Sequence, residues 1–282
     1  MKIGFVGTGM MGQPMAKNLT RAGHDVLVYD ARPDALKPCI EVGAKAVGNV
    51  AAMRDCTIIF IIVSTASQVE DVLYGSEGYF AGKRDGMNAT IVVMSTISPI
   101  AFRKIAEKAK GRGTTIVDAP VSGGPILAEL AALSFMVGGT EDTVEKLRPY
   151  LSAMGNKIFH IGPSGTGCAM KLVNNIVALT NAYVFTETIR IADATGLDIR
   201  KAVDVINASS GKNWCSENWE MYVRFVGMVL NDEGFQRTAV KDLETALEWT
   251  KETAGGSAIV EYALSIIKSG VDLPQGLFES LT

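Results

Sequence analysis

The chain has 282 residues, of which 48% are hydrophobic and 20% are charged, and its formal net charge is −3. This length predicts about two domains, and the apolar content excludes an intrinsically disordered chain. Acidic and basic residues are interspersed without a basic stripe, so nucleic acid is not expected as a partner. The apolar stretch Ile58 to Val63 is far shorter than the about 20 residues that span a bilayer, so no membrane partner is expected either.

The chain contains four cysteines, at Cys39, Cys56, Cys168 and Cys215. They include no C-x-x-C pair and their spacing fits no metal framework, so we predict no metal site. Isolated cysteines in a chain of this length are typical of reduced, buried thiols in a cytoplasmic protein. The opening segment MKIGFVGTGMMG breaks at glycines after a few apolar residues, which is not the pattern of a secretory signal peptide.

The first part of the chain alternates short apolar strands with helical segments. We expect strands at residues 2–6, 25–29, 57–63, 90–94, 114–118, 133–137 and 157–161. A first helix runs from Met10 to Ala22 and ends at Gly23, and Pro33 suits the first turn of the next helix. The strands are continuous apolar runs rather than alternating ones, which indicates burial on both faces. The pattern predicts an α/β fold with a mainly parallel, doubly wound sheet.

The remainder of the chain reads as helices. We place the domain boundary near Pro163, with an α/β domain at residues 1–162 and an all-helical domain at residues 163–282. A long helix from Cys168 to Ala194 opens the second domain, and further helices are expected at residues 199–207, 238–253 and 257–269. The long helix is apolar nearly all round, which favours burial beneath other helices or a partner subunit. We therefore expect a homodimer or homotetramer formed through the helical domain.

A glycine-rich loop follows the first strand, with the sequence Gly7-Thr8-Gly9-Met10-Met11-Gly12. In G-x-G-x-x-G loops of Rossmann-type domains, the first glycine allows the tight turn. The second lets the backbone approach a pyrophosphate, and the third lets helix and strand pack closely. The free N–H groups and the positive end of the helix attract phosphates. Since a strand precedes the loop and a helix begins within it, the loop predicts a dinucleotide site rather than a simple turn.

Asp30 and Arg32 bear on the choice of cofactor. Asp30 ends the second strand, 18 residues after Gly12. Its carboxylate can accept hydrogen bonds from the adenosine ribose and would repel a 2′-phosphate, which favours NAD over NADP. Arg32 leaves NADP open, because a nearby guanidinium can bind that phosphate. Asp30 as a helix-capping residue is the alternative without a ligand.

Three further segments carry polar groups suited to catalysis. The segment Asp118-Ala-Pro-Val-Ser-Gly-Gly124 offers a hydroxyl and the N–H groups of a Gly-Gly turn, which suit a carboxylate. Lys171 and Asn175 are four residues apart in the long helix and so share one helix face. The third segment is Lys241-Asp242-Leu243, in a later helix.

Taken in order, these motifs resemble those of the β-hydroxyacid dehydrogenase family, which includes 3-hydroxyisobutyrate dehydrogenase and tartronate semialdehyde reductase. The resemblance extends from Lys2 to about Leu247. It implies that Lys171 is the catalytic acid/base and that Asn175 orients the substrate. The residues that it implies for substrate binding are Ser122, Gly123, Gly124, Asn174 and Lys241. The cofactor-binding set, which includes the residues predicted above, is Gly7, Gly9, Met10, Met11, Gly12, Asp30, Arg32, Val63, Thr96 and Lys241.

The chemistry supports the role of Lys171 independently. Oxidation of an alcohol requires one positioned base to remove the hydroxyl proton. A lysine can serve if its pKa falls from about 10.4 towards about 7–8, and desolvation and a cationic nicotinamide ring both lower it. In the reverse direction the ammonium form protonates the carbonyl oxygen. The sequence thus predicts an NAD-dependent dehydrogenase of a small 3-hydroxy acid such as 3-hydroxyisobutyrate, serine or glycerate.

Two other functions remain open at this point. One is an NADPH-dependent reductase of a short aldehyde acid on the same scaffold. The other is a non-catalytic nucleotide-binding or scaffold protein, against which the retained Lys171 and Asn175 argue. Arg237 is a candidate second anchor for an acidic substrate.

The remaining chemically suggestive residues are interpreted as structural. His24 and His160 lie at a turn and at a strand end. Trp214 and Trp219 are interpreted as core residues in preference to the lining of a pocket. The Y-x-x-x-K spacing of Tyr79 and Lys83 falls in a loop-like stretch and is set aside.

Overall fold

The computed structural model describes residues 1–82, 88–231 and 233–269. The chain divides into two compact units, residues 1–171 and 172–282. Every strand among the described residues belongs to the first unit: β1 (Lys2–Val6), β2 (Asp25–Tyr29), β3 (Lys45–Ala46), β4 (Ile58–Ile61), β5 (Thr90–Val93), β6 (Thr115–Asp118), β7 (Val121–Ser122), β8 (Leu133–Gly138) and β9 (Gly155–Gly162). The α-helices of this unit are α1 (Gly12–Arg21), α2 (Lys37–Ile40), α3 (Ala66–Tyr74), α4 (Pro99–Lys108), α5 (Gly124–Glu129) and α6 (Glu141–Ser152).

The sheet has the strand order β3-β2-β1-β4-β5-β6-β8-β7, with β9 paired to β8. The six strands from β3 to β6 are parallel, whereas β8 runs antiparallel to β6 and β7. The order 3-2-1-4-5-6 is that of a doubly wound dinucleotide-binding fold, in which ligands bind where the strand order reverses. Here the reversal lies between β1 and β4, directly below the glycine-rich loop. The predicted α/β class is therefore confirmed.

Two apolar clusters cover the two faces of the sheet. One joins Phe5 and Phe60 of the strands to Met15 and Leu19 of α1. The other joins the alternate strand residues, such as Ile59, to α3 and α4. Every residue of β4 is buried, as the continuous apolar run predicted.

The first helix begins at Gly12 rather than at Met10, because residues 8–11 form the turn itself. Tyr79 is fully buried in the core, and Lys83 lies outside the described residues. His24 stacks against Tyr150 with ring centroids 5.1 Å apart. His160 hydrogen-bonds the carbonyl of Gly139 at 2.8 Å.

Beyond β9, the described residues form helices: α7 (Thr166–Ala194), α8 (Ile199–Asn207), α9 (Trp214–Glu217), α10 (Trp219–Asn231), α11 (Glu233–Ala254) and α12 (Ala258–Ser269). The described part of the second unit is thus helical, as predicted. A cluster around Phe185 and Tyr222 joins α7 to α8 and α10, and another around Leu243 and Val260 joins α7 to α11 and α12. In the described parts of the chain, no helix combines the length and apolar character needed to cross a membrane.

The assignment of Trp214 to the core is wrong, since this residue is 51% exposed. It is the first residue of α9, whose buried positions are Cys215 and Ser216. Trp219 does pack inside, with its ring centroid 6.1 Å from that of Phe185 and 6.0 Å from that of Tyr222.

Candidate active site

The glycine-rich loop is shaped by close backbone contacts at its first and last glycines. Gly7 has φ +92°, and a Cβ there would lie 2.2 Å from the carbonyl oxygen of Ile62. A Cβ on Gly12 would lie 1.8 Å from the carbonyl oxygen of Gly7. No larger residue fits at either position, so the loop must carry glycine where it turns and where α1 packs against it.

Gly9 differs from its two neighbours in the loop. A Cβ there would meet only the Arg32 guanidinium, at 3.5 Å. Among the described residues, no side chain hydrogen-bonds to the start of α1, and its first turn holds no acidic residue. The open space beside Gly9 and the uncapped N–H groups of α1 suit the phosphates of a dinucleotide.

Asp30 closes the loop from the side of β2. Its Oδ2 accepts a hydrogen bond from the Thr8 N–H at 2.8 Å, and its Oδ1 accepts from the Arg32 N–H at 2.9 Å. The Arg32 Nε lies 3.3 Å from Oδ1, and the Arg32 side chain is 70% exposed. Partial burial raises the pKa of Asp30. The hydrogen bonds from Arg32 and Thr8 together lower the pKa by more than burial raises it, so the pKa ends below its ordinary value. Asp30 is therefore an anion beside the loop at neutral pH.

Val63 and Thr96 follow the carboxyl ends of β4 and β5. The Val63 N–H donates to the buried hydroxyl of Ser95 at 2.9 Å, which joins the two strand ends. The side chain of Val63 lies beside Gly7, 3.3 Å from the position of a Cβ there. Both residues are half-buried at the edge of the sheet where the loop lies.

Ser122 and the two following glycines form a strand-to-helix turn. Ser122 pairs with Ser134 at the end of β7. Gly123 and Gly124 have φ +136° and +68°, and α5 begins at Gly124. A Cβ on Gly124 would meet nothing within 4 Å, so the backbone here is open to a small ligand.

Lys171 and Asn175 both lie in α7 and are buried, with exposures of 9% and 7%. The Asn175 amide donates to Asp242 Oδ2 at 2.7 Å, and Asn174 donates to Asn175 Oδ1 at 3.4 Å. Lys241 Nζ pairs with Asp242 Oδ1 at 2.7 Å. Asp242 thus links Asn175 to Lys241, which the sequence did not indicate, because the two partners in the Asn175–Asp242 bond are 67 residues apart.

Sequence reasoning also missed the role of Asp118. This residue ends β6, is fully buried and accepts the Gly165 N–H at 2.6 Å and the Cys168 N–H at 2.7 Å. Burial raises the pKa of the Asp118 carboxyl, although these two hydrogen bonds act in the opposite direction. Burial and the Asp118 carboxylate raise the pKa of the Cys168 thiol well above its ordinary range, so Cys168 is no nucleophile.

The chain matches known proteins over nearly its whole length. The family model of the NAD binding domain of 6-phosphogluconate dehydrogenase matches residues 2–162. A second model, described as "NAD-binding of NADP-dependent 3-hydroxyisobutyrate dehydrogenase", matches residues 165–272. An NAD-dependent L-serine dehydrogenase from Pseudomonas aeruginosa is 33% identical over 276 residues, which is 95% of this chain and 91% of the relative.

The chain belongs to the β-hydroxyacid dehydrogenase family. A second family member, the 2-(hydroxymethyl)glutarate dehydrogenase of Eubacterium barkeri, is 36% identical over 277 residues, or 96% of this chain and 89% of that protein. The solved structure of Mycobacterium tuberculosis 3-hydroxyisobutyrate dehydrogenase with L-serine superposes with a TM-score of 0.81 at 28% identity, covering 99% of this chain and 98% of that one. As a β-hydroxyacid dehydrogenase, the protein is an oxidoreductase whose cofactor is NAD or NADP.

The residues present fit this cofactor. The space beside Gly9, the uncapped start of α1 and the anionic Asp30 match the pyrophosphate and ribose of a dinucleotide. The exposed Arg32 contributes a cation beside the loop, through its ion pair with Asp30.

Proposed function

We propose that the protein is an NAD-dependent dehydrogenase of a small 3-hydroxy acid, with Lys171 as the general acid/base. The observation that carries this proposal is a lysine that is only 9% exposed, on the same helix as a buried asparagine. Lysine is almost never fully buried unless its ammonium group is paired, so a buried lysine that shares a helix face with a buried asparagine indicates a polar site rather than apolar packing. The relatives named for L-serine and for 2-(hydroxymethyl)glutarate support the substrate class, since both compounds carry a primary alcohol β to a carboxylate.

In the proposed mechanism the substrate is held by its carboxylate and deprotonated at its hydroxyl. The Ser122 hydroxyl and the backbone N–H groups of Gly123 and Gly124 bind the carboxylate. Asn175 and Asn174 hold the hydroxyl end, and Lys241 adds a positive charge. During oxidation Lys171 takes the hydroxyl proton, and during reduction its ammonium form returns it. When bound, the nicotinamide accepts or supplies the hydride.

The proposed cofactor site is the glycine-rich loop together with the strand ends around it. Gly7, Gly9, Met10, Met11 and Gly12 present backbone to the pyrophosphate. Asp30 binds the ribose hydroxyls and disfavours a 2′-phosphate, so NAD is preferred. Val63 and Thr96 flank the nicotinamide half.

Arg32 supports a second candidate, an NADPH-dependent reductase of a short aldehyde acid. Its guanidinium is 70% exposed beside the Asp30 carboxylate and is positioned by it, so it is available to a 2′-phosphate. Arg237, which is exposed on α11, stays a candidate anchor for a second carboxylate of the substrate.

We further propose a cytoplasmic homodimer or homotetramer formed through the helical unit. The support is a row of exposed apolar side chains on α7, each 43–59% exposed: Val173, Val177, Val184 and Ile191. Large exposed apolar side chains repeated along one helix are typical of a subunit interface. The four buried free cysteines agree with a reducing compartment. Sedimentation of the full chain measures the oligomer, and a monomer at micromolar concentration would contradict the assembly.

A coenzyme-resolved substrate screen tests the function. The enzyme is assayed with NAD and NADP against 3-hydroxyisobutyrate, L-serine, D-glycerate and 4-hydroxybutyrate, and in reverse with short aldehyde acids. We expect turnover of a 3-hydroxy acid with kcat/KM at least about tenfold higher with NAD, which corresponds to about 1.4 kcal/mol. A preference for NADP would favour the reductase, and turnover of nothing in either direction would favour the scaffold protein.

The Lys171→Ala variant tests the assigned acid/base. It should lose at least about 10²-fold in kcat while its affinity for NADH stays unchanged, since proton transfer contributes about 10²–10⁴-fold. Lys201→Ala is the matched control, because Lys201 is exposed on α8. Near-normal turnover of Lys171→Ala would remove Lys171 from its role.

A further inference from the structure

The start of α7 is held by a side chain from another element rather than by a local cap. Both carboxylate oxygens of Asp118 are engaged: Oδ1 accepts the Gly165 N–H at 2.6 Å and Oδ2 accepts the Cys168 N–H at 2.7 Å. These donors are separated from Asp118 by 47 and 50 residues of chain. A helix start normally leaves four N–H groups without partners, and here two of the groups at this end donate to one buried carboxyl group.

Two glycines lie so close to this carboxylate that neither position has room for a Cβ. A Cβ on Gly138 would lie 2.4 Å from Asp118 Oδ1. A Cβ on Gly167 would lie 3.0 Å from Oδ2 and 2.2 Å from the carbonyl oxygen of Met136. Asp118 itself is inaccessible to solvent. The contact therefore fixes the first turn of α7 against the end of β6 with little tolerance.

Lys171 follows Cys168 by three residues on the same helix, less than one turn further along. A shift or a fraying of the first turn of α7 displaces the Lys171 backbone directly. Catalysis by a positioned acid/base is sensitive to such displacements, because a misplacement of about 1 Å can cost about 10²-fold in rate. The backbone group that Asp118 binds at Cys168 is thus less than one helical turn from the residue on which the proposed reaction depends.

We propose that Asp118 is a positioning residue for Lys171. By accepting hydrogen bonds from the Gly165 and Cys168 N–H groups, it fixes the position of the acid/base amine. This proposal rests on the proposed function, since it gives Asp118 an effect on turnover that passes through Lys171. It does not give Asp118 contact with substrate or cofactor.

Asp118→Asn is the first test, because it keeps the size of the side chain. The amide has one acceptor oxygen, so its NH₂ group must face one of the two N–H donors and that contact is lost. We expect kcat to fall between about tenfold and 10²-fold, with the affinity for NADH within about twofold of wild type. Asp198→Asn is the matched control: Asp198 caps α8 by accepting the Lys201 N–H, far along the chain from Lys171, and its substitution should leave kcat unchanged.

A double-mutant cycle separates positioning from a general structural effect. In the Lys171→Ala background, Asp118→Asn should change the residual kcat by less than about twofold, because the group that Asp118 positions is absent. An equal loss in both backgrounds would show a merely structural role and overturn the proposal, as would a wild-type kcat for Asp118→Asn alone. The Lys171→Ala enzyme reports separately on the proposed function: if it is fully active, both ideas fail, whereas a large loss there leaves the cycle to decide on Asp118.

Gly165→Ala disturbs the same contact from the side of the helix and covers the case in which Asp118→Asn does not fold. Gly165 has φ +93°, and its Cβ would lie 3.3 Å from the Arg103 side chain. The variant should show the same loss of kcat and the same dependence on Lys171. If Gly165→Ala retains wild-type kcat with an intact NADH affinity, the clamp does not position the amine and the proposal is wrong.

Discussion

Two helix starts in the first unit are built in opposite ways. No described side chain caps the N–H groups at the start of α1, and its first turn holds no acidic residue. The Asp30 carboxylate binds the Thr8 N–H earlier in the loop, and the position of a Gly9 Cβ faces only Arg32. At the start of α7, the buried Asp118 carboxylate accepts two N–H groups. Both helices begin next to the carboxyl end of a strand, β1 in one case and β6 in the other.

The two helix starts are suited to different tasks, one to binding a ligand and the other to holding a helix in place. An uncapped helix start with free space beside it retains its N–H groups for an anion that arrives with a ligand. A helix start that already holds an anion of the protein has no capacity for a ligand, but its place in the fold is set. Under the proposed function, the first arrangement receives a cofactor that binds and dissociates, and the second fixes a helix that carries the proposed acid/base Lys171.

Substitution of alanine for two glycines of the loop tests whether the start of α1 is open to a ligand, and it has the largest expected effects. Gly12→Ala should destabilise the fold by about 3 kcal/mol, the upper range for overpacking, because its Cβ would lie 1.8 Å from the Gly7 oxygen. Gly9→Ala should leave the melting temperature unchanged, since its Cβ meets no backbone, yet raise the Kd of NADH about tenfold by occupying the space of the pyrophosphate.

Thermal unfolding without cofactor and fluorescence titration with NADH measure the two effects. The pair provides its own control, since both changes add one methyl group to the same loop. If Gly9→Ala bound NADH as wild type does, the space beside Gly9 would not be the phosphate site.

The sequence predicted the frame of the first unit because the relevant signals are local. Continuous apolar runs specify buried parallel strands, and three glycines within six residues specify the loop between β1 and α1. The structure adds the reason for Gly7 and Gly12, which is contact with the carbonyl oxygens of Ile62 and of Gly7 itself.

What the sequence did not predict depends on partners that are distant along the chain. The bond between Asp118 and Cys168 spans 50 residues and that between Asn175 and Asp242 spans 67, so neither leaves a local pattern. The helix α10 was missed because its sequence is rich in aromatic and β-branched residues, which by propensity favour strands. Packing of Tyr222 against Phe185 stabilises the helix instead.

The pH dependence of stability gives the smallest effect and distinguishes the two carboxylates by sign. The pKa of Asp30 is lowered, so its contribution to folding is present at neutral pH and is lost as pH falls below about 4. The pKa of Asp118 is raised, so the folded state binds more protons than the unfolded state just above about pH 4, and stability falls as pH rises through that window.

Urea unfolding of the cofactor-free protein between about pH 3.5 and 7 checks these slopes against Asp30→Asn and Asp118→Asn. The stability difference between wild type and Asp30→Asn should shrink towards acid. The stability difference between wild type and Asp118→Asn should instead shrink as pH rises. Slopes of the same sign would mean that the two carboxylates do not differ as described.

The central claim is that the amine of Lys171 exchanges the proton of the substrate hydroxyl. Stopped-flow measurement of a single turnover, with NAD and 3-hydroxy acid both saturating, tests it most directly when wild type and Lys171→Ala are compared between about pH 6 and 10. If Lys171 is the acid/base, the wild-type rate of NADH formation rises with pH as the lysine loses its proton. The variant is then at least about 10²-fold slower and loses that rise. A variant that keeps both the wild-type rate and its pH dependence would exclude Lys171 from proton transfer.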